Sequence, residues 1–425
     1  MLFRSRQRRY RAAAEAYRKA LALDEDHAEA HNNLGVTLER LGQSDPSIAA
    51  FEAAVAKRSD YVDALFNLGL ARFRRGELDE AASCFERVLK IAPDLPEAQF
   101  HLGEVHFQRG RTTKALRLYK RALYTRPDDV RTYEKLARAH LDRGEPEQAV
   151  EYLNRWVRLA PDSARAHAAL GEATARLGTP TARAEALESF EEARALDPED
   201  PGILVSMARL ERDRDRFPEA AEHLEDALRL DPGHREATLE LGDLYERTGR
   251  DEEARDLYEG ALERRPTFAD AAFRLAGVAR RAGTPEEEIA RYRQAIRLDP
   301  AHVDARIELG GALYQRKDFA AALKTLQAAI AQDPTRGLPH YYLAGALLGL
   351  GRTEEALAEA RRATTLDEEL GPAFVTLGKL ERRLGNTDRA LAAYRRALVL
   401  DPGNAELAFA VQDLESAAAK TDGGR

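Results

Sequence analysis

His101 and His106 stand five residues apart with Glu104 between them, the set of side chains in this sequence that comes nearest to metal-ligand spacing. A helix brings residues i and i+4 to one face, not i and i+5, so the three do not converge and zinc is not expected. Catalytic patterns are missing as well. The sequence has no HExxH, no GxSxG and no phosphate-binding glycine loop. Its carboxylates are spread along amphipathic stretches, where runs of charge form solvated faces. The one cysteine, Cys84, can form neither an intrachain disulfide nor a cysteine metal site, and beside Phe85 it reads as a packed small residue. No catalytic residue, cofactor or metal is expected. The side chains left to act are amides, aromatics and arginines, and they act by binding.

The elements that carry them repeat. Arg235 to Phe268 is a stretch of 34 residues that the rest of the chain varies. Leu241, Leu244 and Tyr245, then Ala254, Leu257, Tyr258, Ala261 and Leu262, follow helical spacing and put an apolar stripe on each of two helices. Gly249 suits a left-handed C-cap and Asp251 an N-cap between them. Pro266 stops the second helix. Gly242 sits mid-helix, where glycine is disfavoured by roughly 1 kcal/mol against alanine, so a neighbouring element is expected to come very close there. Two such helices cannot bury their stripes alone and need copies on both sides.

The copies keep register. The slot of Gly242 recurs at Gly35, Gly69, Gly103, Ala137, Gly171, Ala208, Ala276, Gly310, Ala344 and Gly378, in steps of 34 except for one of 37 between Gly171 and Ala208. The stopping proline recurs from Pro93 to Pro402, with Ser59 and Glu368 in its place in two copies. Ser47 and Glu288 replace the small alanine of the second helix, and a large residue stands four further on, as in Phe51, Phe85 and Tyr119. This pattern resembles the tetratricopeptide repeat family. The resemblance covers residues 28–404 as eleven tandem units that begin at 28, 62, 96, 130, 164, 201, 235, 269, 303, 337 and 371. It implies an all-α, right-handed solenoid in which the first helix of each unit lines a concave groove. It also implies a scaffold that binds peptides or protein surfaces.

In that family the groove is lined from the second, fifth, sixth, ninth, twelfth and thirteenth places of each first helix. Here these include Asn32, Asn33 and Arg40, then Phe66, Asn67, Phe73 and Arg74, then Phe100, His101 and Phe107. Asn33 and Asn67 resemble the start of an asparagine ladder as in O-GlcNAc transferases, where amides grip peptide backbone through paired donors and acceptors. The ladder lapses beyond them, with Lys135 and Ala169 at later sixth places. Four phenylalanines in adjacent units form a candidate binding patch. Tyr314, Tyr341 and Tyr342 form a second one. Arginines recur at the end of the first helix, including Arg40, Arg74, Arg176, Arg247, Arg281 and Arg383, where a cation suits the helix dipole. The two-carboxylate clamp of chaperone-binding relatives is not assembled.

The flanks differ. Residues 1–27 hold a half repeat: Arg11 to Leu23 reads as a second helix whose own first helix would precede Met1, so either Met1 to Arg11 substitutes for that helix or an upstream segment or domain is missing. The exposed face of that helix could support self-association. The arginine run from Arg4 to Arg11 reads as a solvated helix end. The three extra residues in the 178–185 stretch should lengthen a turn. Residues 405–420 should form a capping helix and residues 421–425 a disordered tail.

A formal net charge of −8 and a pI near 5.8 over 425 residues give no nucleic-acid footprint, and no run is apolar enough for a membrane span. With no signal peptide visible in the chain, a cytoplasmic location is expected. The functional expectation is a non-catalytic scaffold with a protein or peptide in the groove. The alternative is the substrate-presenting arm of a larger enzyme such as a glycosyltransferase.

Overall fold

A computed structural model of the chain describes the backbone of residues 2–422 and the side chains of residues 7–416. Those residues form 24 helices and no strand. They divide into two compact units, Met1–Asp215 and Arg216–Arg425.

The first unit holds α1 (Leu2–Leu23), α2 (Ala28–Arg40), α3 (Ser44–Lys57), α4 (Val62–Arg74), α5 (Leu78–Ile91), α6 (Pro96–Gln108), α7 (Thr112–Thr125), α8 (Val130–Asp142), α9 (Pro146–Leu159), α10 (Ala164–Ala175), α11 (Pro180–Leu196) and α12 (Pro201–Arg212). The second holds α13 (Phe217–Leu230), α14 (Arg235–Arg247), α15 (Asp251–Arg264), α16 (Ala269–Arg281), α17 (Pro285–Leu298), α18 (Val303–Gln315), α19 (Phe319–Gln332), α20 (Gly337–Gly349), α21 (Thr353–Leu366), α22 (Gly371–Arg383), α23 (Thr387–Leu400) and α24 (Ala405–Asp422). Helices pack against their neighbours in sequence, so each unit is an α-solenoid of stacked helix pairs. Successive first helices also touch one another, α2 with α4, α4 with α6 and α18 with α20. They therefore form the tighter, inner side of each stack.

The turns follow from single residues. Gly249 has a φ of +73°, as expected of a left-handed cap, and equivalent glycines recur in most other pairs. Asp251 is not the N-cap. It is the first residue of α15, and Arg250 occupies the cap with no side-chain bond. Arg265 lies extended (φ −134°) ahead of Pro266, where proline disfavours the helical conformation of the residue before it. Arg58 and Asp367 adopt the same conformation ahead of Ser59 and Glu368, so proline reinforces this stop without dictating it.

The core is built on a slot and a ring. A Cβ added at Gly35 would lie 2.5 Å from the Phe51 ring, and at Gly69 2.8 Å from the Phe85 ring. Gly103, Gly171, Gly242 and Gly378 stand in the same way under Tyr119, Phe190, Tyr258 and Tyr394. The close approach expected at Gly242 is thus the ring of its own unit's second helix. Where the second helix carries the thinner Leu153, Ala137 fills the slot. Ala276 with Tyr292 and Gly310 with Leu326 are exceptions.

The flanks depart from expectation. Helix α1 runs unbroken, so residues 2–11 do not fold back as a substitute first helix. The three extra residues near 178–185 do not swell a loop. They extend α11 to 17 residues against 14 in α9, because Thr179 caps it (Oγ1 accepts from Ala182 N at 3.1 Å) and Pro180 follows at the first turn. Helix α24 includes Thr421 and Asp422, placed in the tail by the sequence, while residues 423–425 lie outside those described. It buries Leu407, Val411 and Leu414 against α23 residues and carries Gln412 at the slot position.

Candidate functional site

The amides and aromatics of the first three pairs come together, but not as a free patch. Asn67 Nδ2 donates to Asn32 Oδ1 at 3.0 Å, tying α4 to α2. Asn32 is only 5% exposed, which removes it from the surface, while Asn33 is exposed. Phe66 meets Phe85 edge-on at 5.7 Å, His101 stacks on Phe85 at 5.8 Å, and Phe66 and His101 meet each other edge-on at 5.7 Å. A fifth-place ring therefore covers its own unit's ring residue, and the next sixth-place residue covers it again. Phe100 is 6% exposed and packs on His101, Tyr119 and the Arg131 guanidinium. It belongs to the core and is corrected from an exposed aromatic. Phe73 and Phe107 are half-buried against the apolar clusters around Phe85 and Tyr119. Burial in this aromatic stack pushes the His101 pKa down to about 4, so the ring is neutral at pH 7.

Several arginines at the ends of first helices do more than face a dipole. Arg75 Nη1 reaches Asp45 at 2.6 Å and Arg281 Nε reaches Asp251 at 2.8 Å, and Arg109 with Asp79 and Arg316 with Glu286 repeat the bridge. Each joins the end of one first helix to the opening turn of the preceding second helix. Arg74 pairs with Glu39. Arg40 and Arg176 are exposed with no ion-pair partner among the described residues.

The tyrosines of the second unit interlock. The Tyr314 ring lies 2.6 Å from where a Cβ on Gly345 would be, and the Tyr342 ring 2.9 Å from that of Gly311. Tyr341 and Tyr342 have ring centroids 5.1 Å apart. All three are half-buried, and burial raises the hydroxyl pKa of Tyr341 and Tyr342. Tyr314 and Tyr342 lock α18 to α20, with ring centroids 6.2 Å apart.

One inner-face feature is not anticipated. A cavity of about 530 Å³ opens between α8 and α10, lined by Arg138, Leu141, Leu153, Ala168, Ala169 and Arg176 among others. Ala168 and Ala169 hold the fifth and sixth places, filled in the third pair by Phe100 and His101. Sequence reasoning takes Ala169 only as the lapse of an amide ladder. The signal for the cavity is the two alanines together, beside a run of large residues at the same places.

The histidines are structural. His27, His234 and His302 accept through Nδ1 from Ala30, Ala237 and Ala305 N and cap α2, α14 and α18. His31 and His167 bond through Nε2 to the carbonyls of Glu25 and Pro161. Cys84 is buried and its thiol pKa is raised by that burial. No group of three or more metal-ligating side chains lies together among the described residues. Nor is any described helix long and apolar enough to cross a membrane.

Sequence profiles of the tetratricopeptide repeat match residues 6–42, 39–96, 289–337, 337–362 and 371–414. The chain is a tetratricopeptide repeat protein. Residues 90–279 match the profile of the cilia and flagella-associated protein 70 C-terminal domain, a tetratricopeptide repeat model. No curated relative matches in sequence. Among solved structures, YrrB, a TPR protein with an unusual peptide-binding site, is 23% identical over 44% of this chain and 96% of its own, with a TM-score of 0.37. Yeast Tom70 is 17% identical over 94% of this chain and 97% of its own, with a TM-score of 0.43. The APC/C hetero-tetramer Cut9–Hcn1 is 15% identical over 97% and 88%, also at 0.43. Tetratricopeptide repeats fit a protein-interaction scaffold in general terms.

Proposed function

We propose that this protein is a non-catalytic scaffold of eleven tandem units, residues 28–404, whose inner face holds an extended peptide or protein segment. One observation carries the proposal. Helix α2 carries exposed Asn33 and Arg40, whose side chains have no hydrogen-bond or ion-pair partner among the described residues, and α4 and α6 carry the half-buried rings of Phe73 and Phe107. Amides and a guanidinium bind main chain and carboxylates, and the ring edges bind apolar side chains.

The experiment compares affinity capture from the source cell's lysate by wild type and by an Asn33→Ala, Arg40→Ala, Phe73→Ala, Phe107→Ala variant. Phe100 is left intact because it is core. A partner retained by wild type and lost by a variant with unchanged circular dichroism supports the proposal. Equal capture by both removes this face as the site.

A second reading is favoured by α1. Ala20 is exposed and Tyr17 half-exposed, whereas the equivalent Ala54 and Phe51 are fully buried. That face could pair with a second copy of the chain. Concentration-dependent sedimentation abolished by Tyr17→Glu supports it, and a monomer at high concentration eliminates it.

A further inference from the structure

Helices α1 and α24 are each half of a pair. Elsewhere a fifth-place ring meets the ring of its own pair's second helix: Phe66 meets Phe85 and Phe273 meets Tyr292, both at 5.7 Å. Phe409 holds the fifth place on α24, and no helix follows α24 among the described residues. Phe409 is 70% exposed. Ala408 beside it is exposed too, where the equivalent Leu65 and Ala272 are fully buried. A helix that only caps a stack needs no apolar face towards water. On α1 the converse holds, since no helix precedes it among the described residues. Ala13 and Tyr17 are half-buried and Ala20 is exposed, at the places where Ala81, Phe85 and Val88 are fully buried.

The two faces are complementary. The helices of a pair run antiparallel across their short turn, so pairing α24 with α1 sets the closing turns of α24 beside the opening turns of α1. Those are the ends at which both helices exceed the usual length. Helix α24 has 18 residues against 13 in α2, and α1 has 22 against 14 in α3. Arg8, Arg9 and Arg11, in the long opening of α1, are exposed with no ion-pair partner among the described residues. The carbonyl end of a helix attracts cations. Tyr17 also finds a hydroxyl acceptor: Tyr119 donates to Glu104 at the ninth place of its own pair, and Asp413 holds the ninth place on α24. Gln412 stands where α2 has Gly35, so Tyr17 closes less deeply than Phe51 does and the joint is weaker than an internal pair.

We propose that copies of this chain join head to tail, with α24 of one copy serving as the first helix for α1 of the next. Phe409 covers Tyr17, and the arginines of α1 meet the carbonyl end of α24. This rests on the reading that α1 pairs with a second copy and names the surface it meets.

The test is sedimentation velocity of the full chain, as wild type, as Tyr17→Glu, as Phe409→Glu and as an equal mixture of the two variants. Wild type is expected to sediment faster as its concentration rises. Each variant alone should associate at least about tenfold more weakly. The mixture should recover one joint, because the intact α24 of Tyr17→Glu meets the intact α1 of Phe409→Glu, and it should stop at twice the mass of one chain. That recovery is the result a head-to-tail joint requires and a symmetric one does not produce. Phe409→Glu associating like wild type overturns the proposal and leaves pairing through α1 alone standing. A mixture that stays monomeric overturns it as well. Wild type that stays monomeric at high concentration removes both. Phe409 is exposed, so its substitution spares the fold. Should Tyr17→Glu lose helicity by circular dichroism, Ala20→Glu, at an exposed place on the same face, replaces it in the mixture.

Discussion

Gly242 illustrates how much one hydrogen atom decides in this protein. A Cβ at that position would fall well inside contact distance of the Tyr258 hydroxyl and ring. Gly242→Leu is therefore expected to destabilise by about 1–3 kcal/mol through overpacking, read as a lowered midpoint of thermal unfolding. The same change should cost less in a Tyr258→Ala background, with a coupling of about 0.5–3 kcal/mol between the two positions. Arg247→Ala, one turn on, loses only a guanidinium over the Phe217 ring at 5.3 Å, a contact of about 0.5–1 kcal/mol at an exposed site.

His101 gives a prediction in pH. Its folded pKa near 4 lies below the ordinary value of 6.5, so below pH 6.5 the unfolded chain takes up a proton that the folded chain refuses. Stability should fall as pH drops from 6.5 to 4, by up to about 3 kcal/mol from this ring. Denaturant unfolding of His101→Phe should show a flatter dependence over that window. The glycine slot was legible in sequence because a mid-helix glycine is costly without a reason. The burial of Phe100 was not, since the fifth place is covered or open according to what the next pair presents.

At the scale of the helix, cap residues decide where each element starts and ends. The left-handed turn after a first helix is made by glycine in most pairs but by Lys317, at φ 62°, after α18. Lys317→Gly is expected to stabilise by about 0.5–1 kcal/mol, since glycine alone adopts that conformation without a Cβ penalty. Calorimetric unfolding against wild type checks it. Helix boundaries were legible because 34-residue spacing of proline and glycine pins both ends. The fate of the extra residues near 180 was not, because a loop and a longer helix satisfy the same count. Thr179 and Pro180 settle it through cap chemistry that a spacing argument passes over.

Across many pairs, stability is a sum of near-neighbour terms, and the arginine bridges add a small one at successive joints. Each is a surface pair, weak and screened by salt. Asp79→Ala removes the partner of Arg109. Its unfolding midpoint should depend less on sodium chloride than that of wild type between about 0.05 M and 0.5 M. A slope equal to wild type would assign that joint to apolar contact alone. The candidate site was legible only as a row of places. Sequence assigns residues to the inner face, whereas openness depends on pairs of neighbours, as Ala168 and Ala169 show beside Leu153.

The tyrosine interlock between α18 and α20 has a consequence for how binding could change over evolutionary time. Tyr314 and Tyr342 each occupy the hollow above a glycine of the opposite helix, so this stretch already carries its own ligands. A new specificity there would come from loss: a shorter side chain at 314 or 342 uncovers a glycine-floored hollow, while further bulk has nowhere to go. Around Ala168 the opposite holds: the hollow is open, and added bulk would fill it. One chain thus contains a stretch whose hollows are filled by its own rings and another where a hollow stays open.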